Sequence, residues 1–91
     1  MIKEFKDNDE DYLDWINTNR TGFVVNCDRT PRPAYLMLHL AICPTITGHP
    51  ANGEVWTRYY IKICSIPREE LEEWGMKKIG AELRPCRICK P

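Results

Sequence analysis

Two cysteines, Cys86 and Cys89, stand two residues apart in the basic, proline-bounded stretch RPCRICKP that closes the chain. A C-x2-C knuckle presents two thiolates on one tight turn, which is half of a tetrahedral metal site. Upstream, LHLAIC carries His39 and Cys43 with three residues between them, where a strand runs into a loop. A short spacer lets both donors of such a pair reach one ion at ~2.0–2.3 Å. H-x3-C with a distant C-x2-C therefore supplies three sulfurs and one nitrogen, a closed donor set suited to structural zinc. Magnesium and calcium prefer oxygen and are disfavoured. Cys64, at the end of an apolar run, is the rival fourth ligand; if it binds, His39 becomes a supporting or core histidine. Cys27 has no partner in range and reads as a small buried or turn residue, and His49, in a Gly/Pro-rich loop, as solvent-exposed.

Those donors need a scaffold, and 91 residues allow one domain. A domain of that size buries a modest core, so a metal or an oligomer interface often supplements it. With 43% hydrophobic and 29% charged residues the chain is too apolar to be disordered. MIKEFKDNDE lacks the apolar run of a signal peptide, and no stretch approaches the ~20 apolar residues of a membrane span. The expectation is a cytoplasmic protein with reduced thiols and no membrane partner, in which five cysteines and two histidines point to metal rather than disulfides.

DNDEDYLDWINTNR reads as a helix capped by Asp7 or Asn8, with an acidic, solvated first turn and Tyr12, Leu13, Trp15 and Ile16 on one face. GFVVN is a short buried strand, DRTPRP a loop, and AYLMLHL a second strand with Tyr35, Met37 and His39 on one side. CPTITGHPANGE reads as a long loop and VWTRYYIKICS as a third strand. IPREELEEWGMKKIG is a second helix, doubtful beyond Gly75 and stopped at Gly80. The predicted fold is α+β: a small antiparallel sheet of about three strands, two helices, and a C-terminal zinc knuckle.

The frame H-x3-C … RPC-x2-C-x-P resembles small bacterial zinc modules, of which the zinc-binding domain of Ada-type DNA-alkylation repair proteins is the best known; similar modules are appended to secreted or nuclease-like bacterial proteins. The resemblance is specific at Arg84, Pro85, Cys86, Cys89, Pro91 and the His39/Cys43 pair. It implies zinc at Cys43, Cys86 and Cys89, with His39 standing where the Ada-type domain has a cysteine. In that domain the zinc-bound thiolate at this place accepts the methyl group, so a histidine here removes the nucleophile. GFVVNCDRTPRPAYLMLHLAIC looks like an uncharacterised bacterial family, to which no activity attaches.

Three function classes follow. The leading one is a zinc-binding domain whose metal is structural. The second is a nucleic-acid-binding module, accessory to a DNA-processing or nuclease system. WTRYYIK interleaves Trp56, Tyr59 and Tyr60 with Arg58 and Lys62, and Arg84, Arg87 and Lys90 rim the knuckle, with Arg29 and Arg32 nearby. Against it, net charge is zero: residues 1–15 are acidic, residues 16–66 basic and residues 67–91 nearly balanced, without the domain-wide basic excess of a non-specific binder. The third is a homodimerising or protein-docking module using an open sheet edge, Trp15 and Trp74, with a larger protein as partner. An enzyme is not expected, because three thiolates and a histidine fill the metal shell and no Gly-rich phosphate loop, H-E-x-x-H or nucleophile elbow is present.

Overall fold

Alternation along three strands sorts the chain into two apolar faces. The computed structural model describes residues 1–48 and 55–91. Five strands form one sheet: β1 (Lys3–Phe5), β2 (Phe23–Asp28), β3 (Leu36–Leu40), β4 (Tyr60–Ser65) and β5 (Arg84–Pro85), in the order β1-β4-β2-β3-β5. The pairings are antiparallel except that of β3 with β5, which is parallel. Val24 and Cys64 point to one face, and Val25, Cys27, Leu36, Leu38, Ile61 and Ile63 to the other.

Helices cover both faces. Helix α1 (Asp9–Thr18) inserts Tyr12 and Ile16 against Phe5, Val24 and Cys64, joined by Ile46 of the single-turn helix α2 (Pro44–Thr47). Helix α3 (Arg68–Trp74) lays Leu71 on the opposite face and runs into a π-helical turn at Gly75–Ile79. Gly80 ends that turn at φ 84°, the left-handed conformation that glycine adopts without strain. The result is a three-layered α+β unit.

The α+β class is as expected, but the strand count is not. β1 and β5 are edge strands of three and two residues, too short to leave a periodic signature. The strand expected from Val55 begins only at Tyr60, because the backbone of Trp56 and Thr57 is engaged elsewhere. The expected loop after Cys43 opens with α2, where Pro44 suits a first helical turn. Cys27 lies inside β2, fully buried, rather than after it. His49 lies outside the described residues.

Two side chains at the start of α1 set its position. Asn8 caps α1 by accepting from the Asp11 N–H at 3.2 Å. Asp9, expected to be solvated, instead accepts from the Trp56 N–H at 2.9 Å, the Thr57 N–H at 2.8 Å and the Thr57 hydroxyl at 2.7 Å. Burial opposes its charge, but those donors outweigh that and hold its carboxyl below the usual aspartate value. At the α1–β2 turn, a Cβ on Gly22 would stand 2.8 Å from Trp15 Cη2 and 3.1 Å from the Ser65 carbonyl.

Gly22→Ala should therefore cost about 1–3 kcal/mol in a urea unfolding experiment, the range for overpacking; an unchanged midpoint would show that Trp15 yields freely. Asp9→Asn should cost about 1–3 kcal/mol at neutral pH, since one N–H donor is left without an acceptor. A depressed native pKa stabilises above the unfolded value of ~3.9 and ceases to do so as pH falls through the lower native value. The stability gap between wild type and Asp9→Asn should thus narrow on acidification, and a gap constant with pH would exclude this role.

Candidate metal centre

A turn and a short strand bring the two donor pairs together. His39 is the penultimate residue of β3, in register with Val24. The chain then reverses: the Ala41 N–H donates to the Gly22 carbonyl at 2.9 Å and the Cys43 N–H to the Leu40 carbonyl at 3.0 Å. Cys43 thereby returns to the His39 side just before α2, which Tyr12 holds by donating its hydroxyl proton to the buried Ile46 carbonyl at 2.8 Å. On the C-terminal side, β5 pairs Arg84 with Met37 and Pro85 with Leu38, and the Cys86 N–H donates to the Leu38 carbonyl at 2.8 Å. Within the knuckle the Lys90 N–H closes on the Cys86 carbonyl at 3.0 Å.

The ligand atoms of His39, Cys43, Cys86 and Cys89 all lie within 4.8 Å of one another, close enough to hold one metal ion. The Cys43 and Cys86 sulfurs are 3.9 Å apart, against about 3.8 Å for the edge of a tetrahedron with 2.3 Å metal–sulfur bonds. The donor set fits the group it implies. His39, Cys43 and Cys86 are buried and Cys89 is partly exposed.

The sulfurs are also supplied with hydrogen-bond donors. The Leu40 N–H points at Cys89 Sγ and the Ile88 N–H at Cys86 Sγ, each at 3.3 Å. Thr45 places its hydroxyl 3.0 Å from Cys43 Sγ and 3.4 Å from His39 Nδ1, touching both upstream donors. Burial opposes ionisation of Cys86, yet the N–H groups of Cys89 and Ile88 bring its thiol below the ordinary value. Burial pushes Cys89 up to about 12, with Cys43 adding to the effect. Burial lowers His39 to about 4, helped by the Lys62 charge, leaving a neutral imidazole ready to donate its lone pair.

Cys64 stands apart from this cluster. It is fully buried on β4 beside Tyr12 and Val24, and burial drives its thiol well above the ordinary value. It is a core residue.

The other sequence-derived candidates separate. Lys62 is 4% exposed and donates to the Trp56 carbonyl at 2.6 Å, with its ammonium 5.8 Å from the centre of the Tyr12 ring. Burial brings it down to about 8, and it is committed to the interior rather than offered to phosphate. Trp56 is half-buried against Tyr12, Tyr60 is half-buried, and Arg58 is exposed. Arg84, Arg87 and Lys90 are exposed and take no part in the ion pairs of the described residues, whereas Arg29 is paired to Asp7 and Arg32 to Asp28. Trp15 and Trp74 pack half-buried against the two cores. Spacing pointed to all four clustered donors; it gave no sign of Thr45 or of the Leu40 and Ile88 N–H groups, whose roles depend on the turn geometry.

No family model, no curated protein and no solved structure matches this chain. No helix among the described residues is long and apolar enough to cross a membrane.

The geometry separates the rival fourth ligands. Cys64→Ser should keep full metal content by mass spectrometry and lose only packing stability. His39→Ala should lower metal affinity by an order of magnitude or more. The reverse pattern would move the site to Cys64.

Proposed function

We propose that this protein is a small zinc-binding domain whose metal supports the fold and does not catalyse. The observation that carries the reading is the convergence of one imidazole and three thiols, from segments more than forty residues apart in sequence, within 4.8 Å. Three sulfurs and one nitrogen satisfy the tetrahedral preference of zinc and leave no open position for a reacting water. N–H groups aimed at Cys86 and Cys89 support thiolate charge and also lower sulfur nucleophilicity, which suits a structural centre. The histidine at position 39 stands where an Ada-type domain would carry its methyl acceptor, so alkyl transfer is not the function assigned.

One observation favours nucleic-acid binding as the activity such a fold would support: Arg84, Arg87 and Lys90 are gathered, exposed and outside the ion pairs of the described residues.

Native mass spectrometry with and without a chelator, paired with thermal melting, tests the metal. We expect one zinc per chain and collapse of the cooperative transition on chelation, because structural zinc contributes on the order of 10 kcal/mol in isolated fingers. Metal-free protein with an unchanged melting curve would overturn the reading.

A further inference from the structure

Beside the metal cluster, hollows, aromatic rings and cations outside the ion pairs of the described residues coincide on one surface. On the face that carries α1, register aligns Lys62, Asn26, Met37 and Arg84 in a row across β4, β2, β3 and β5. α1 covers the part of this face around Phe5, Val24 and Cys64, but Asn26, Tyr35, Met37 and Tyr60 stay half-exposed. Tyr35 and Tyr60 meet edge to face at 5.8 Å, and Asn26 Nδ2 donates to the Tyr35 hydroxyl at 2.9 Å, which fixes the first ring. Trp56 and Tyr60 wall a hollow of about 300 Å³. Through the shared walls of Tyr35 and Thr45 it adjoins a groove of about 760 Å³ that reaches Arg84 and Arg87. Among the described residues the combined lining holds three cationic side chains, Lys62, Arg84 and Arg87, and no Asp or Glu.

We propose that this groove binds single-stranded nucleic acid, with a base against the Tyr35, Trp56 and Tyr60 rings and the flanking phosphates on Arg84 and Arg87. Each part of the lining answers a part of that ligand. Aromatic side chains offer stacking surface that accepts any base, and guanidinium groups pair with phosphate oxygens. Lys62 contributes field rather than contact, since its ammonium is held by the Trp56 carbonyl. A duplex keeps its base faces stacked and its edges paired, so it cannot place a base in a side hollow; a single strand can. An acidic peptide would satisfy the arginines but leave the aromatic hollow unfilled. The net charge of zero is no obstacle, because the acidic residues of α1 and α3 are not in the lining. The inference rests on the zinc reading only in that His39, Thr45 and Cys86, which wall the groove, are positioned at the metal cluster.

The test uses the zinc-loaded full chain and fluorescence anisotropy of labelled DNA and RNA single strands of about 12 nucleotides, with a DNA duplex of the same sequence, within the range one small fold covers. Both single strands, or one of them, should bind at least about tenfold tighter than the duplex, and the preferred arm names the natural strand. Affinity should fall roughly sevenfold between about 50 and 200 mM salt, as two contacted phosphates require at a slope of ~−0.7 each. The Arg84→Ala, Arg87→Ala double variant should flatten that slope. Tyr60→Leu should weaken binding about fivefold or more at either salt. Zinc content and melting point measured on each variant exclude misfolding. Absence of binding by zinc-loaded protein, equal binding of duplex, or wild-type behaviour of well-folded variants would overturn the proposal while leaving the structural metal intact.

Discussion

The two-residue parallel pairing of β5 with β3 is the contact on which both the metal centre and the groove depend. It docks Arg84 and Pro85 beside Met37 and Leu38 and delivers Cys86 to the end of the sheet where His39 and Cys43 already lie. Such a pairing is weak by itself. Ordering each residue of the tail costs about 1–2 kcal/mol of backbone entropy, and a pair of ladder contacts with one hydrogen bond from Cys86 returns about as much or less. A metal bridging Cys86 and Cys89 to His39 and Cys43 would hold the tail in place from its far side, and the short pairing would then set the geometry rather than supply the stability. Bond and ion would act together: one chooses the register, the other makes it last.

The sheet divides its work between its two faces. The face under α3 is almost wholly apolar, with Val25, Leu36, Leu38, Ile61 and Ile63 meeting Leu71. It can be covered by one amphipathic helix and carries no polar site. The face under α1 and α2 is mixed and holds His39, Cys43, Lys62 and Asn26 along with its apolar residues. Buried polar groups there mostly have a specific partner, which offsets their desolvation, although Asn26 Oδ1 has none among the described residues. Lys62 has the Trp56 carbonyl and the Tyr12 ring, Tyr12 has the Ile46 carbonyl, and His39 has Thr45 and its fellow donors. The segment from Trp56 to Arg58 is fixed by contacts of this kind, which explains why it turns over the sheet instead of extending β4.

Legibility in the sequence followed the range of the interaction responsible. The α1 cap, the Gly80 stop, the alternation along β3 and the two donor pairs are written in residues within a turn or two of each other, and periodicity and spacing expose them. Edge strands β1 and β5 are not, because a strand of two or three residues forms only when a partner already exists to pair with it. WTRYYIK was legible only in part, for a related reason. Its aromatic and basic residues alternate as a binding platform would, yet Lys62 is drawn inward by a carbonyl six residues back and Thr57 by a carboxylate 48 residues away. Spacing favoured His39 and left Cys64 open as the alternative; the fold adds that the turn at Leu40–Cys43 brings Cys43 beside His39, facing the knuckle, while Cys64 is sealed under Tyr12.

The metal centre and the open groove are two sides of one wall. Thr45 touches Cys43 and His39 through its hydroxyl and lines both hollows, while Cys86 is at once a donor and a groove residue, and Arg87 follows it directly. Drawing four donors onto one ion would fix the positions of Thr45 and of the knuckle backbone. The spacing between the aromatic hollow and the arginines would then be set by the coordination sphere together with the β3–β5 pairing. A ligand that spans from Tyr60 to Arg87 gains from this, because less entropy is lost when the surfaces it touches are already held apart at the right distance. A closed shell of three sulfurs and one nitrogen would leave no open position on the ion. Its contribution would be rigidity at the β5 edge of the sheet, where only two residues pair.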